Sequence, residues 1–323
     1  MATTVGAAPA GGDGGGRRRW SSSRLSEGQF ALVLTIPVIV ALLLVILAPT
    51  AYSFWMSLHR IDFIFNKTEY IGFANYRRAF KAPEVRHALQ TTLYYTGLTT
   101  FLSVALSVGG ALLLNEQFRG RRILMTVAIL PWAVSTYATA VIWRYLYSID
   151  WGPVNAILIR LGLIDKPFNF LSASWAVPSS AIAHAWQITP LGLYFILASM
   201  QVIPEDLYKM ARVDRLGAFG RFRHVMLPYL KAPILIVAVL VTAEAARIFD
   251  LILFLTGGGP GDSSTTLTYE IYRNTFQARR YDYGAALGWI LVAVVFVITT
   301  VYFLLLTVRR RPKAAIDGAA ADS

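Results

Sequence analysis

Six long apolar segments constrain the fold of this chain more than any other feature of its sequence. A helix needs about 20 mostly apolar residues to cross the ~30 Å hydrocarbon core of a bilayer, and its backbone polar groups must be paired within the segment. The chain is 56% hydrophobic and 15% charged, as expected of an integral membrane protein. We therefore predict an all-α, polytopic membrane protein with six transmembrane helices, at Phe30–Ala48, Leu89–Leu114, Ile123–Leu146, Trp175–Met200, Ile234–Leu255 and Ala285–Val308.

The segments on either side of this six-helix region are polar. Residues 1–29 include the run GAAPAGGDGGGRRR, which is too polar and too rich in glycine to order itself. We predict a disordered tail at 1–29, a transmembrane domain at 30–308 and a second tail at 309–323. The first apolar run has no small-residue cleavage site of the A-x-A type, so it is interpreted as a retained span rather than a signal peptide.

The distribution of Lys and Arg predicts the orientation of the spans. An even number of spans places both termini on one side, and the loops and tails of that side carry 17 Lys and Arg, against 11 in the opposite loops. Because basic loops favour the cytoplasm, both termini are predicted to be cytoplasmic. The loop at 58–87, which this orientation puts outside, is itself basic, with six Lys and Arg. The cations lie at the ends of apolar runs, which argues against nucleic acid as a partner despite the net charge of +12.

Several function classes are excluded by what the sequence lacks. It has no cysteine, which excludes disulfides, Cys-ligated metals and thiol nucleophiles. Gly257–Ser264 looks like a phosphate-binding loop, but it lacks the Lys–Ser/Thr ending and follows a span instead of a buried strand. HExxH, GxSxG and dinucleotide-binding motifs are absent, and the four histidines have no metal-ligand spacing. We predict neither an enzyme nor a metal site.

A polar block between the fourth and fifth spans has the pattern of two short helices. Ile203-Pro204-Glu205-Asp206 suits a helix start, and apolar positions recur from Leu207 to Leu216. Gly217 is predicted to end this helix in a left-handed conformation, and a second helix is predicted at Phe219–Met226, ending at Pro228. The alternative is a solvated basic loop, although such ordered periodicity favours a docking surface.

The same block resembles a motif of permease subunits of ATP-binding-cassette (ABC) importers. Its sequence, IPEDLYKMARVDRLGAFGRFRHVMLPYL, is similar to the EAA loop of that family: E-A-A, three residues, Gly, nine residues, Ile-x-Leu-Pro. Lys209, Met210 and Ala211 stand at the E-A-A positions, Arg215 at the Gly position, and Leu227-Pro228 match outright.

Two further matches are typical of the carbohydrate branch of this family. Phe249-Asp250-Leu251-Ile252, Leu255-Thr256 and the run from Gly257 to Leu267 resemble the pattern FDLI…LTxGGP…STxxL. The run Asp282–Ala286 matches more weakly at the start of the last span. The overall sequence is also similar to the trehalose-importing members of actinobacteria.

This resemblance implies a fold, a function and a set of partners. It implies the type I ABC importer permease fold, in a bacterial plasma membrane, with a cytoplasmic coupling loop at about 201–228 that docks on an ATPase subunit. The implied partners are a second permease subunit, two ATPase subunits that bind ATP and Mg, and an extracytoplasmic sugar-binding lipoprotein; no cofactor is expected on this chain. The implied substrate is a disaccharide, with trehalose first. The predicted coupling residues are Glu205, Asp206, Lys209, Met210, Ala211, Arg212, Asp214, Arg215 and Gly217.

Two residues depart from the family pattern. Lys209 replaces the family's Glu, which would pair with a cation on the ATPase; either the partner surface is charge-swapped, or Glu205 and Asp206 take that role. Arg215 replaces the Gly that breaks the helix, so we expect Gly217 to supply the bend two residues later.

Polar residues inside spans predict the substrate path, because such groups are costly in lipid and usually face a cavity or a partner. In the fourth span, an aromatic ring beside an amide suits the apolar face and the hydroxyl edge of a sugar, and Pro190 frees nearby backbone groups. In the fifth span, three charged residues at i, i+3 and i+6 share one side; either they face the path, or they pair against a neighbouring subunit. His184 is interpreted either as a hydrogen-bonded packing residue or as a pore-lining residue. The candidates are Trp186, Gln187, Thr189, Leu191, Tyr194, Glu244, Arg247 and Asp250, with Trp143, Arg144 and Tyr147 secondary.

Three other functions are kept as alternatives. An ion-gradient-driven secondary transporter or channel should show inverted repeats, paired broken helices and a buried acidic relay. A non-transporting membrane scaffold or receptor should retain no ATPase subunit. An ABC importer permease for another sugar, or for glycerol phosphate, differs from the first prediction in substrate alone.

Overall fold

The computed structural model describes residues 26–62, 65 and 67–308. The predicted tail at 309–323, and residues 1–25 of the predicted tail at 1–29, lie outside the described residues. The chain divides into two compact units, with the boundary between Ala51 and Tyr52. Helix α1 (Glu27–Leu42) of the first unit begins at a capping box, in which the Ser26 hydroxyl accepts from the backbone N–H of Gln29. The ordered helix thus starts three residues earlier than the predicted span.

The remaining elements are almost all helical. A π-helical turn at Leu43–Leu47 leads into α2 (Ala48–Ser57), and two more interrupt the chain at Phe222–Met226 and Arg273–Gln277. The elements that follow are β1 His59–Asp62, β2 Lys67–Tyr70, α3 Ala74–Lys81, α4 Pro83–Asn115, α5 Arg121–Ala128, α6 Leu130–Ala133, α7 Thr136–Leu146, α8 Pro153–Arg160, α9 Ala176–Met200, α10 Glu205–Val213, α11 Ala218–Arg221, α12 Leu227–Ala246, α13 Asp250–Leu255, α14 Leu267–Tyr272 and α15 Tyr281–Val308.

Five continuous helices of the described residues are long and apolar enough to cross a membrane, and a bent helix pair makes a sixth candidate. The continuous ones are Gln29–Ser57, Pro83–Asn115, Ala176–Met200, Ala218–Ala246 and Tyr281–Leu304. The predicted all-α membrane fold is confirmed. The short antiparallel hairpin of β1 and β2, in which His59 pairs with Tyr70 and Asp62 with Lys67, was not predicted.

The third predicted span, Ile123–Leu146, is wrong as a single straight helix. Its two parts, Arg121–Ala133 and Thr136–Leu146, meet at an angle of 103°. Pro131 weakens the helix before the bend, because it has no N–H to donate. Ser135 then starts a new helix by accepting from the backbone N–H of Ala138 at 3.3 Å. Hydropathy alone does not register this break, because both parts are apolar.

The fifth predicted span, Ile234–Leu255, is displaced towards its N-terminus. The continuous helix begins at Ala218 and ends at Ala246, and α13 is a separate short helix that begins at Asp250. The predicted helix end at Pro228 is therefore wrong: a π-helical turn carries the chain through this proline, which stands in the first turn of α12. The break is favoured by charge, because an arginine at the C-cap of α12 and an aspartate at the start of α13 each suit the helix dipole.

The core of the second unit is built on α4, α9 and α12, which pack together over most of their lengths. Gly192 of α9 makes the closest approach: a Cβ at this position would lie 2.5 Å from Ser107 Oγ and 2.6 Å from Val237 Cγ1. A Cβ at Gly110 of α4 would lie 2.5 Å from Leu193 Cδ1. Small residues that let helix backbones approach closely are typical of helix packing in membranes.

The two ends of this bundle carry different structures. At one end, α3 and the first turns of α4 and α15 pack in an apolar cluster that includes Ala79, Val85 and Tyr283, and β1 of the hairpin contacts α15. At the other end, α10 packs on the cluster that contains Leu114 and Met200, at the ends of α4 and α9. By the predicted orientation, the hairpin end is extracytoplasmic and the α10 end is cytoplasmic.

Candidate translocation path and coupling surface

The side chain of Gln187, in the middle of α9, makes hydrogen bonds at the break between α6 and α7. Its side-chain Nε2 donates to the carbonyl oxygen of Val134 at 2.9 Å and to the hydroxyl of Thr136 at 3.3 Å. Gln187 is buried, and its amide pairs with a backbone carbonyl at the bend, which in lipid must find a partner inside the protein. This predicted path residue therefore holds the bent span against α9.

Two other predicted path residues of α9 are also bonded to main-chain carbonyls. The Thr189 hydroxyl donates to the carbonyl of Ala185 at 2.6 Å, one turn earlier in the same helix. The Tyr194 hydroxyl donates to the carbonyl of Met125, in α5. Both hydroxyls therefore already have acceptors within the protein in this conformation, Thr189 within its own helix and Tyr194 in a neighbouring one.

An aromatic cluster joins α7 to α9. Trp186, whose exposed fraction is 36%, meets the ring of Trp143 edge to face with the centroids 5.9 Å apart. Trp143 in turn lies 5.1 Å from the ring of Tyr147, whose hydroxyl donates to the carbonyl of Ser179 at 3.1 Å. Leu191, one turn further along α9, is also partly exposed. Trp186 thus presents a partly exposed aromatic surface, and Trp143 of α7 packs against its ring.

The three charged candidates of the predicted fifth span lie on both sides of a helix break. Glu244 is in α12, Arg247 is the C-cap of α12, and Asp250 is the first residue of α13, so the i, i+6 relationship on one continuous helix is wrong. Arg247 and Glu244 form an ion pair. Their side chains are 64% and 48% exposed, and Asp250 is exposed as well. The three charged side chains are therefore exposed at the break between α12 and α13. There they are accessible to a substrate or to a neighbouring subunit.

His184 is buried in α9 and hydrogen-bonded. Its Nδ1 lies 2.8 Å from the hydroxyl of Tyr95 in α4, and the two rings stack with centroids 6.0 Å apart. Both residues are buried. These contacts fit the interpretation of His184 as a packing residue.

The helix predicted at the start of the 201–228 loop is present as α10, and it has an inner and an outer face. Ala211 is buried, and Leu207 packs against the cluster at the span ends. Met210 and Val213, three residues apart, are 62% and 82% exposed. Phe219, in the next helix, is 73% exposed. The outer face of α10 is therefore apolar at its centre, which is unusual for a helix end in water.

The charges of α10 surround this apolar face. Lys209 pairs with Asp206 at 2.8 Å, and both side chains are largely exposed. Glu205 starts the helix, and Asp214 follows its end; both are exposed. The side chain of Arg212 lies outside the described residues. Asp206 thus engages the lysine that replaces the family's Glu, so these two residues neutralise each other.

Arg215, rather than Gly217, makes the left-handed turn that ends α10. Arg215 has φ 51°, and the next N–H, of Leu216, donates to the carbonyl of Ala211 at 2.9 Å, which is the long-range bond of a Schellman-type helix end. Gly217 has φ −64° and ψ 175°, and it is the N-cap of α11. The prediction that Gly217 supplies the bend is wrong, because the helix ends at the position where the family pattern has its glycine.

Tyr208 lies on the inner side of α10, beside the end of α4. Its hydroxyl is buried and has no hydrogen-bond partner among the described residues. Burial raises the pKa of Tyr208, and the nearby carboxylate of Glu116 raises it further. Both residues line a cleft of about 460 Å³, together with Glu205 and Arg221.

Comparison with known proteins identifies the family. Residues 102–311 match the family described as binding-protein-dependent transport system inner membrane component. The trehalose/maltose transport system permease protein MalF of Thermococcus litoralis is 33% identical over 286 residues, covering 87% of this chain and 95% of that protein. The chain belongs to this family.

Other relatives agree with this membership. The sulfoquinovosyl glycerol permease SmoG of Agrobacterium fabrum is 31% identical over 285 residues (88% of this chain, 92% of that protein). The trehalose permease SugA of Mycobacterium tuberculosis is 28% identical over 289 residues (88% and 91%). A crystal structure of a bacterial ABC transporter that imports alginate superposes with a TM-score of 0.76 at 23% identity, covering 87% of this chain and 96% of that chain. The likeness to that structure shows the same fold.

This permease is therefore a multi-pass inner-membrane subunit of a sugar ABC importer, with the type I fold. It is not an enzyme, because ATP hydrolysis in this family belongs to separate ATPase subunits. Among the described residues, no group of three or more His, Asp and Glu side chains lies close enough to hold a metal ion.

The glycine-rich run that resembles the family pattern forms a closed loop in this permease. The Ser264 hydroxyl donates to Thr256 Oγ1 at 2.8 Å, and the Thr265 hydroxyl donates to the carbonyl of Gly258 at 3.0 Å. Gly258 has φ 81°, and a Cβ there would lie 2.6 Å from the ring of Tyr269. These internal contacts give the run a structural role.

Sequence reasoning missed the contact that holds the bent span, although two signals for it are present. Pro131 marks a weak point, and Ser135-Thr136 is a typical helix start. No local pattern could place Gln187 opposite this break, because the two positions are about 50 residues apart in sequence and meet only in the packed bundle.

Proposed function

We propose that this permease forms half of the translocation path of an ATP-driven disaccharide importer, and that trehalose is its substrate. A second, non-identical permease forms the other half. Two ATPase subunits, which bind ATP and Mg, dock on the cytoplasmic side, and a sugar-binding lipoprotein delivers the substrate from outside. Two relatives named as trehalose permeases support the choice of sugar, and an alginate transporter of the same fold was solved in complex with a periplasmic protein.

The exposed apolar face of α10 carries the coupling part of this proposal. Met210 and Val213 are open to solvent in the single chain, while on the opposite face Ala211 is buried and Leu207 packs against the span ends. A partner that covers the outer face buries apolar surface at roughly 25 cal/mol per Å². Movement of that partner is then passed through α10 to α4 and α9 as a rigid-body shift. This assignment puts the 201–228 loop and both termini in the cytoplasm.

The substrate path is assigned to the polar and aromatic groups that remain open. Trp186 offers an aromatic face to the apolar side of a sugar ring. Glu244, Arg247 and Asp250 offer charged hydrogen-bonding groups to its hydroxyls, and all three are exposed in the single chain. Gln187, Thr189 and Tyr194 are instead assigned to positioning, because their polar atoms are already bonded to the protein.

Co-capture of the ATPase subunit tests the coupling surface. The permease is coexpressed with its partner subunits, captured by an affinity tag in mild detergent, and probed for the ATPase. The double variant Met210→Asp/Val213→Asp should lose the ATPase, because two carboxylates cannot be buried without partners. Trp151→Asp is the matched control: this residue is also apolar and 79% exposed, but it lies outside the coupling loop. Full retention of the ATPase by the double variant contradicts the proposed coupling surface.

A further inference from the structure

The cleft of about 460 Å³ beside Tyr208 lies where α10 meets the ends of the long helices. Its lining comes from the C-terminal end of α4, the end of α9, α10 itself, α11 and the π-helical turn before α12. Its buried lining residues are apolar: Met200, Ile203 and Met226. The outer face of α10, with Met210 and Val213, does not line it. A molecule in this cleft would therefore contact both α10 and the span ends without occupying the proposed ATPase-docking face.

The remaining lining residues of this cleft are polar and mixed in charge. They are Asn115, Glu116, Gln201, Glu205, Tyr208 and Arg221. Within the part of the chain that the structure describes, none of these six side chains forms a hydrogen bond or an ion pair. Carboxylates accept hydrogen bonds, a guanidinium donates them, and amides and hydroxyls do both. The cleft thus offers several uncommitted donors and acceptors above an apolar base.

Tyr208 gives the second indication of a ligand. Its hydroxyl is buried and unpartnered among the described residues, although buried polar groups usually have a hydrogen-bond partner. Burial and the nearby carboxylate of Glu116 both raise the pKa of Tyr208, so the hydroxyl stays protonated and able to donate. A ligand oxygen seated against the ring would supply the partner that the protein does not.

The balance of charges indicates the chemical class of the ligand. Arg221 disfavours a cation, and the two carboxylates of Glu116 and Glu205 disfavour an anion. A neutral molecule with many hydroxyls can use both kinds of group, because each hydroxyl donates and accepts. The volume lies within the roughly 300–1,000 Å³ of typical small-molecule sites. These features suit a neutral sugar.

We propose that this cleft binds the imported sugar on the cytoplasmic face of the permease, and that the bound sugar slows further import. This inference rests on the proposed importer function and on the predicted orientation. Asn115 ends α4 and Gln201 follows α9, whereas Glu205 and Tyr208 belong to α10. A sugar bonded to both groups ties α10 to the span ends and resists the shift that coupling to the ATPase requires. Sugar that accumulates inside the cell would thus limit its own uptake.

Uptake into proteoliposomes preloaded with sugar tests this proposal. The vesicles contain the complete importer, with ATP and Mg inside and the sugar-binding protein outside. The initial rate of labelled trehalose uptake is measured against graded lumenal concentrations of unlabelled trehalose, with osmolarity held constant by KCl. Each rate is divided by that of the same protein in sugar-free vesicles. We expect lumenal trehalose to inhibit the wild type.

A double variant separates the cleft from the translocation path. Glu116→Ala/Gln201→Ala removes two exposed side chains that make no bonds within the described chain. The lumenal concentration for half-inhibition should rise roughly tenfold, because hydrogen bonds to the sugar are lost. Gln117→Ala is the matched control, since this exposed neighbour of Glu116 does not line the cleft. It should be inhibited like the wild type.

The outcomes distinguish the cleft from the importer function. Wild-type uptake that lumenal trehalose does not inhibit, or inhibition that is unchanged in the double variant, overturns the inhibitory site and leaves the importer intact. If the double variant does not assemble, Glu116→Gln alone is measured, and unchanged half-inhibition again overturns the site. If lumenal spermidine inhibits through these residues while trehalose does not, the cleft is a cation site and the proposal is overturned. A wild-type complex without ATP-dependent uptake contradicts the proposed function itself.

Discussion

Gln187 of α9 donates its side-chain amide to the carbonyl oxygen of Val134, 2.9 Å away across the 103° bend of the third span. This contact lets the permease keep a broken helix in an apolar setting, because the bend exposes backbone groups that lipid cannot solvate. Gln187 was predicted to contact substrate. The contact instead assigns it to holding the bent third span in place.

Gln187→Leu should lower the stability of the permease. A similar volume is kept but the two hydrogen bonds are lost, which leaves a buried carbonyl unpaired at a cost of about 1–3 kcal/mol. We expect a lower melting temperature in detergent and slower transport. Thr189→Val is the matched control, because the Thr189 hydroxyl bonds only within its own helix. Equal melting temperatures for Gln187→Leu and the wild type would show that the bend is held by other contacts.

Arg215→Gly should stabilise the C-terminal end of α10. The left-handed φ of 51° costs a non-glycine residue roughly 1 kcal/mol, and glycine adopts it freely. Hydrogen–deuterium exchange of residues 205–217 should therefore be slower in this variant. Gly217→Ala should exchange like the wild type, because Gly217 has a negative φ and an added Cβ meets no atom within 4 Å. Faster exchange in Arg215→Gly than in Gly217→Ala contradicts this account of the helix end.

Gly192→Ala should destabilise the bundle. The new methyl group would lie 2.5 Å from Ser107 Oγ and 2.6 Å from Val237 Cγ1, so α4 and α12 must move apart. Overpacking of this kind costs typically about 1–3 kcal/mol, which thermal unfolding in detergent should detect. Gly109→Ala, also within a span, is the control, because its Cβ meets nothing within 4 Å. The packing argument fails if both variants melt alike.

Exchanging the charges of Glu244 and Arg247 distinguishes a role in substrate contact from a purely structural role of this ion pair. If both residues contact substrate, as proposed, Glu244→Gln raises the KM for uptake, and the exchange Glu244→Arg/Arg247→Glu does not restore it. A purely structural pair predicts the opposite, because reversing both charges preserves their attraction. Uptake kinetics of the three proteins, with equal amounts of assembled complex, decide the question.

Local pattern predicted much of this fold, and the failures have a common cause. Hydropathy located all six apolar regions, because a span must contain about 20 apolar residues whatever its neighbours are. It missed the breaks before Ser135 and before Asp250, because an interrupted helix in a membrane is completed by side chains from distant helices, as Gln187 does. Helix α10 was predicted from its own caps and periodicity. Its end was misplaced because Arg215 adopts a conformation that propensity assigns to glycine.

For the substrate-path candidates too, the sequence predicted residue type and location, but not the contacts made in the packed bundle. Residue type identified polar side chains inside spans, but it could not tell which were already bonded. Thr189 and Tyr194 donate to main-chain carbonyls, whereas Glu244 and Arg247 are exposed and form an ion pair with each other. Only the packed structure separates residues that position the helices from residues that remain open.

ATP-dependent uptake of labelled trehalose into proteoliposomes tests the central claim most directly. The vesicles contain this permease with its second permease and ATPase subunits, with ATP and Mg inside and the sugar-binding protein outside. We predict uptake that requires both ATP and the binding protein, that unlabelled trehalose suppresses, and that a protonophore leaves unchanged. Uptake by this chain alone, without ATP and driven by an ion gradient, contradicts the account.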